Sequence, residues 1–158
     1  MNPRTPSVLF VCLGNLCRSP TAHAVFHTMA FEQGVDVFVD SAGTAGYHKG
    51  SSPDQRSMDA GQARGYSFKG QRSRPVLVDD FERFDLVLAM DSKNLRDLLA
   101  MCPPEYQHKV SLFLEYADHD ESEVPDPYYG GRQGFELVLD LIEQGCAVLL
   151  RKVKQLPC

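Results

Sequence analysis

No stretch of this chain approaches the ~20 consecutive apolar residues that a membrane-spanning helix needs, so no membrane association is expected. Positive charge is also scarce. The 16 Lys and Arg are outnumbered by 21 Asp and Glu, giving a net charge of -5, and they are scattered. A nucleic-acid surface would want them gathered on one face. Cysteine spacing of the CxxC or Cys/His type is missing as well. The five cysteines, Cys12, Cys17, Cys102, Cys146 and Cys158, are odd in number and widely spaced, which excludes a secreted disulfide framework and a zinc site. Repeats, linkers and low-complexity tracts are absent. The polar residues 1–6 lead straight into an apolar run, with none of the apolar core of a signal peptide. The expectation is a soluble cytoplasmic protein, and 158 residues suit a single domain over 1–158 with an interior large enough for a real core.

What is present is an alternation of strand-length apolar runs with segments of helical period, the signature of a parallel α/β sheet. Strands are expected at residues 7–12, 36–40, 85–90 and 109–114. The first and third are continuously apolar, as strands covered on both faces should be. Between them Ala22, Val25, Phe26 and Met29 form a one-sided stripe closed by Gly34. Asp91 or Ser92 caps a helix carrying Leu95, Leu98 and Leu99, which Pro103-Pro104 stops. The last helix is the clearest, with Phe135, Val138, Leu139, Ile142, Cys146, Leu149, Leu150 and Val153 at spacings of three and four, which makes Cys146 a core residue. Two long connections remain. Residues 42–84 include a helix expected at 53–64, and residues 115–131 have none. The whole predicts a three-layer α/β/α fold of the doubly wound, flavodoxin-like kind around a short parallel sheet of about four strands. In such sheets ligands bind beyond the carboxyl ends of the strands.

Cys12 stands at one such end. The segment Cys12-Leu13-Gly14-Asn15-Leu16-Cys17-Arg18-Ser19-Pro20 follows the run Val8-Leu9-Phe10-Val11, so a strand delivers Cys12 and the next five residues arc round. A helix then opens near Arg18, because Pro20 suits a first helical turn where its missing N–H costs nothing. Loop N–H groups and the helix N-terminus converge on one spot and favour a tetrahedral dianion there. The same field favours the thiolate of Cys12, the form that attacks. Arg18 adds a planar fork that matches two phosphoryl oxygens. A lone cysteine ending an apolar strand would more often be packing, but Gly14 and Asn15 as turn formers and Arg18-Ser19-Pro20 after them support the reactive reading.

Phosphoryl transfer through a thiolate also needs an acid for the leaving oxygen. Asp126 is the best candidate. It lies in Val124-Pro125-Asp126-Pro127-Tyr128-Tyr129-Gly130-Gly131, where the prolines stiffen the chain and the two tyrosines offer walls for an aromatic slot. On local evidence alone, Asp-Pro before Gly-Gly also reads as a turn. Asp118, Asp120, Glu121 and Glu123 are nearby rivals that look like a solvated acidic loop.

With these two motifs in hand, the chain closely resembles the low-molecular-weight protein tyrosine phosphatase family over nearly its whole length. Asp40-Ser41-Ala42-Gly43-Thr44, His48-x-Gly50, Asp54-x-Arg56 and Ala89-Met90-Asp91 are further landmarks in family order. The resemblance implies that Cys12 is the nucleophile, that Arg18 and the loop residues Leu13 to Ser19 bind phosphate, and that Asp126 serves as general acid and then as base for water. It implies that Ser19 donates to the thiolate and that Asn15 and Ser41 brace the loop. Tyr47, Tyr128 and Tyr129 would line the substrate groove. Cys17 would form a protective disulfide with Cys12. It implies a phosphotyrosine-containing protein as partner and no cofactor. One departure stands out, because Gln71 occupies a position where relatives often carry a histidine in the bracing network.

Three other functions are weighed. A thiol-coupled arsenate reductase resembles this loop but needs two further cysteines in a mobile segment, and no cysteine lies between Cys17 and Cys102. Phosphoarginine phosphatases of similar sequence carry a small threonine where this loop has Leu16, whose bulk suits a flat aryl group. A non-catalytic phosphate-binding module or phosphocysteine carrier would have no use for Arg18 and Asp126 together.

Overall fold

The computed structural model describes residues 5–46, 48–127 and 131–156. Strand β1 spans Ser7–Cys12 and is buried throughout, as its unbroken apolar sequence requires. It pairs in parallel with β2 (Phe38–Gly43), from Ser7 opposite Phe38 to Cys12 opposite Gly43. On its other side it pairs with β3 (Leu86–Ala89), which in turn pairs with β4 (Val110–Leu112). The sheet order β2-β1-β3-β4 is that of the flavodoxin-like doubly wound fold. The reversal of strand order beside β1 opens a crevice at its carboxyl end, where Cys12 lies.

The pleat sorts the core into two layers. Val8, Phe10 and Cys12, with Leu86, Leu88 and Met90, face α1 (Arg18–Glu32) and α6 (Gly131–Val153). Leu9 and Val11, with Val87 and Ala89, face the other way. There they meet Phe81 of α3 (Val78–Arg83) and Leu98 of α4 (Ser92–Met101). Phe10 sits edge-on to Phe26 and Phe113, with ring centroids 5.8 and 5.4 Å apart, so three elements meet on one strand residue. Helix α2 (Gln55–Ala63) is tied to α6 beyond its last residue, where Arg64 pairs with Glu136, Asp140 and Glu143. Among the described residues no helix is long and apolar enough to cross a membrane.

The boundaries differ from the sequence pattern in three strands, β3 only by one residue at each end of 85–90. β2 begins and ends later than residues 36–40, because pairing with β1 carries Ser41-Ala42-Gly43 into the sheet despite their weak strand preference. β4 is shorter than residues 109–114, since Phe113 and Leu114 turn into the one-turn helix α5 (Phe113–Tyr116) and plug the core from there. Helix α3 and a 3-10 helix at Pro104–Lys109 were not anticipated; six residues are too few for a periodic signal.

Packing of α6 against α5 depends on Gly145. A β-carbon there would lie 2.6 Å from Cζ of Phe113 and 3.0 Å from Cδ2 of Leu114. Gly145→Ala is therefore expected to destabilise the fold by about 1–3 kcal/mol. Denaturant melts should show this loss, with specific activity per folded molecule unchanged; an unaltered midpoint would mean that the Phe113 ring moves aside freely.

Candidate active site

The loop between β1 and α1 is wrapped by other parts of the chain, whose donors take its carbonyls. The carbonyls of Cys12 and Leu13 accept from the N–H groups of Thr44 and Ala45, both at 2.9 Å. That of Gly14 accepts from the Ser73 hydroxyl at 2.9 Å, and that of Leu16 from the Asp54 N–H at 2.8 Å. The Cys17 carbonyl takes the Thr21 hydroxyl at 2.7 Å. With carbonyls engaged from outside, the loop N–H groups are the donors left for an anion at the centre.

Asn15 is the keystone of the loop. Its backbone is left-handed, at φ 57°, and its side chain is buried. The amide donates to the hydroxyls of Ser19 (2.8 Å) and Ser41 (3.0 Å), and its oxygen accepts from the N–H of Arg74 (3.0 Å). Ser19 in turn lies 3.0 Å from the Cys12 sulfur and 3.4 Å from the carbonyl of Ala42. A hydroxyl has one proton, and Asn15 already fills an acceptor position of Ser19. The shorter contact makes the sulfur its acceptor whenever Cys12 is a thiolate.

Arg18 opens α1 and is 4% exposed. One of its terminal nitrogens, Nη1, donates to Oδ2 of Asp91 at 2.7 Å and to the carbonyl of Val124 at 3.0 Å. These two acceptors fix the guanidinium plane, and among the described residues its other N–H groups are left for a ligand. Val124 is held by its own N–H to the Met90 carbonyl, so the segment bearing Asp126 is anchored two residues upstream of that carboxylate. Asp126 reaches a cavity of about 190 Å³ lined also by Cys12, Leu13, Gly14, Leu16, Cys17, Arg18 and His48. The rival acids do not line this cavity, although Glu121 and Glu123 border an adjoining one that Arg18 and Asp126 also line. Asp118 pairs with Lys152, and Glu123 accepts from the N–H of Ser92.

Cys17 shares this cavity. Burial pushes its thiol up to about 12, the nearby carboxylates Asp54 and Asp126 reinforcing the effect against a hydrogen bond from Ser57. Gln71 lies outside the Asn15 network: its amide donates to the carbonyl of Pro20 at 3.3 Å, while Ser73 and the Arg74 backbone hold the loop. Tyr47, Tyr128 and Tyr129 lie outside the described residues. Sequence reasoning placed Asp91 at a helix cap and gave no site role to Gly43, His48, Ser73 or Arg74. Their contacts with the loop are long-range, and only Gly43 and His48 stood in recognisable motifs.

The model of the low molecular weight phosphotyrosine protein phosphatase family matches residues 7–156. The chain belongs to this family. It is accordingly a phosphatase, a hydrolase. A Synechocystis relative named for the same activity is 47% identical over 147 residues, which cover 90% of this chain and 93% of the relative. The crystal structure of a protein tyrosine phosphatase from Entamoeba histolytica, with Hepes in the active site, superposes with a TM-score of 0.91 at 41% identity, covering 96% of this chain and 98% of that one. The YwlE arginine phosphatase, in a form with a phosphorylated active-site serine, superposes at 0.86 and 28% identity, covering 94% and 96%.

Gly43 offers a direct test of how tightly this phosphatase loop is set. A β-carbon at this position would stand 2.7 Å from the Leu13 carbonyl oxygen and 3.1 Å from the Asn15 nitrogen, both backbone atoms of the loop. Gly43→Ala should displace the loop and lower kcat on an aryl phosphate by about 10²-fold, since a misplacement of about 1 Å suffices for that. Circular dichroism should remain native. A kcat within twofold of the parent would show that the loop tolerates the shift.

Proposed function

We propose that this phosphatase hydrolyses phosphotyrosine in protein substrates by double displacement at Cys12, with Arg18 binding the phosphoryl group and Asp126 moving the proton. The observation that carries this reading is the convergence of a buried cysteine, a buried arginine and a carboxylate on one cavity.

In the first step the Cys12 thiolate attacks phosphorus, an S–P bond forms and the P–O bond to the tyrosyl oxygen breaks. Protonated Asp126 donates its proton to that oxygen, so the leaving group departs as a neutral phenol. The three peripheral oxygens, whose charge must be held throughout, face the loop N–H groups and the free donors of Arg18. In the second step the Asp126 carboxylate takes a proton from water as the water oxygen attacks phosphorus. The S–P bond breaks, inorganic phosphate leaves and the thiolate returns, held by Ser19. Two displacements need nothing beyond these side chains and water. The YwlE form, with its phosphorylated serine, is the kind of covalent state that such a step requires.

Leu16 contributes an apolar wall to the cavity, which favours a flat aryl group over a guanidinium. The likeness to YwlE makes phosphoarginine the second substrate class to examine. A panel of peptides bearing phosphotyrosine, phosphoserine and phosphoarginine should show turnover concentrated on phosphotyrosine; faster release from phosphoarginine would overturn the substrate assignment. Cys12→Ser should bind the phosphotyrosine peptide without turning it over. Asp126→Ala should slow phosphotyrosine by about 10²–10⁴-fold and an activated nitrophenyl ester far less, because acid assistance matters most for a basic leaving oxygen. Equal losses on both substrates would remove Asp126 from the acid role.

We also infer a protective role for Cys17, supported by its place in the same cavity as Cys12. Cys12 reacts first with peroxide because Cys17 is held protonated at neutral pH. Peroxide converts the Cys12 thiolate to a sulfenic acid; the Cys17 sulfur then attacks it, forming the disulfide and releasing water. Activity lost to mild peroxide should return with dithiothreitol in the parent protein and fail to return in Cys17→Ser. Equal recovery in both would leave Cys17 without a redox function.

A further inference from the structure

Asp126 stands on an exposed stretch of chain with little packed against it. Val124 and Pro127 are buried, whereas Pro125 and Asp126 between them are exposed. Beside this stretch lies a cavity of about 520 Å³, lined by Arg18, Asp91, Glu123, Asp126 and Leu137 among others. Pro125 and Pro127 have no N–H to give, so the backbone of 125–127 can donate only from Asp126. The place of the carboxyl group therefore depends on how the chain is fastened on either side of it, because there is open space for the segment to swing into.

Downstream the fastening is steric. A β-carbon on Gly134 of α6 would lie 3.1 Å from the Pro127 carbonyl oxygen, so the two backbones are in close contact. Upstream it is a set of hydrogen bonds. The Val124 N–H donates to the Met90 carbonyl at 2.8 Å, and the Val124 carbonyl accepts from Nη1 of Arg18 at 3.0 Å. Both bonds belong to one residue, and two bonds define an axis about which the residues that follow can pivot. Glu123 supplies a third point. Its Oε2 accepts from the N–H of Ser92, the first residue of α4, at 2.6 Å, where the helix dipole strengthens the hold on a carboxylate. The same helix end also sets Arg18. Asp91, the N-cap of α4, accepts from the Asn94 N–H with Oδ1 at 2.8 Å and from Arg18 with Oδ2 at 2.7 Å.

We propose that Glu123 is a positioning residue for Asp126. By tethering the acid-bearing segment to the start of α4, it keeps the carboxyl group in register with the phosphoryl group that Arg18 binds. One helix end thus carries two arms, Asp91 to the phosphate ligand and Glu123 to the acid. Glu123 touches no reacting atom and acts only through the segment it holds. This role rests on the reading of Asp126 as the general acid.

The test compares kcat/KM, which covers the steps up to departure of the leaving group, on a phosphotyrosine peptide and on a nitrophenyl ester. Glu123→Ala should lower it about three- to tenfold on the peptide, a part of the roughly 10²–10⁴-fold that acid assistance supplies. On the ester, whose leaving oxygen needs little help, the loss should stay below about twofold. Glu123→Gln keeps a side-chain oxygen for the Ser92 N–H and should recover most of the activity on the peptide. In the Asp126→Ala background Glu123→Ala should cost nothing more, because no acid is left to aim. Circular dichroism should be native throughout. Equal losses on both substrates, a further loss in the double variant, or parent-like kinetics in Glu123→Ala would each overturn the positioning role. Failure of the acid reading has its own signature. Asp126→Ala would then lose the same factor on both substrates and the role of Glu123 would fall with it, whereas selectivity in Asp126→Ala without selectivity in Glu123→Ala removes Glu123 alone.

Discussion

Asn15 holds a left-handed backbone that a non-glycine residue adopts at a cost of about 1–2 kcal/mol, and the rest of the site is arranged around paying that cost. Its amide makes three hydrogen bonds, to Ser19 from its own helix start, to Ser41 from β2 and from the backbone of Arg74. Each is buried or half-buried, where a lost bond leaves a group without water to replace it. The conformation turns the loop so that its carbonyls meet the surrounding chain, which is the condition for the N–H groups to face inward. The same amide also orients Ser19 toward the Cys12 sulfur. One side chain thus sets both the anion cradle and the environment of the nucleophile.

Two arginines make this arrangement rigid by different means. Arg74 spans the Asp40 and Asp80 carboxylates, and Asp80 is fully buried. Removing Arg74 would leave the buried Asp80 charge unmatched, typically at about 3–5 kcal/mol, so the backbone N–H of Arg74 that holds Asn15 has little freedom to drift. Among the described residues, Arg18 is bound by only one of its terminal nitrogens, to Asp91 and Val124. It is fixed in plane yet incompletely satisfied, and an incompletely satisfied buried guanidinium is a ready binding site for an anion. Because Val124 lies two residues from Asp126, this bond also relates the position of the acid to that of the phosphate ligand.

The parts of this architecture that could be read from sequence are those written in consecutive residues. β1 was legible to the residue, because an unbroken apolar run ending in a turn-forming loop admits few other structures, and the stripe of α6 was equally plain. Cys12 and Arg18 share one short segment, so their relation was visible in spacing, whereas the bracing part of Asn15 and the donation by Ser19 came from the family resemblance. The roles of Gly43, Ser73, Arg74 and the Arg18 contact of Asp91 depend on pairings across 28 to 73 positions, such as the bond of Arg18 to Asp91, which no local pattern announces. The shifted β2 has the same origin. Ser41-Ala42-Gly43 is poor strand sequence, and it becomes strand only because β1 presents it with partners.

The two cysteines of the loop show how far position overrides chemistry. Cys12 and Cys17 are the same residue, five positions apart, lining one cavity and both nearly excluded from solvent. Cys12 has the Ser19 hydroxyl at 3.0 Å, in a hydrogen-bond network that ends on a buried amide. Cys17 caps the helix from outside its first turn, with Asp54 and Asp126 adding negative potential, and its thiol is pushed up to about 12, chiefly by burial. The half-turn of chain that Asn15 holds in place turns the Ser19 hydroxyl onto the Cys12 sulfur, while the neighbours of Cys17 include Ser57 and the carboxylates of Asp54 and Asp126.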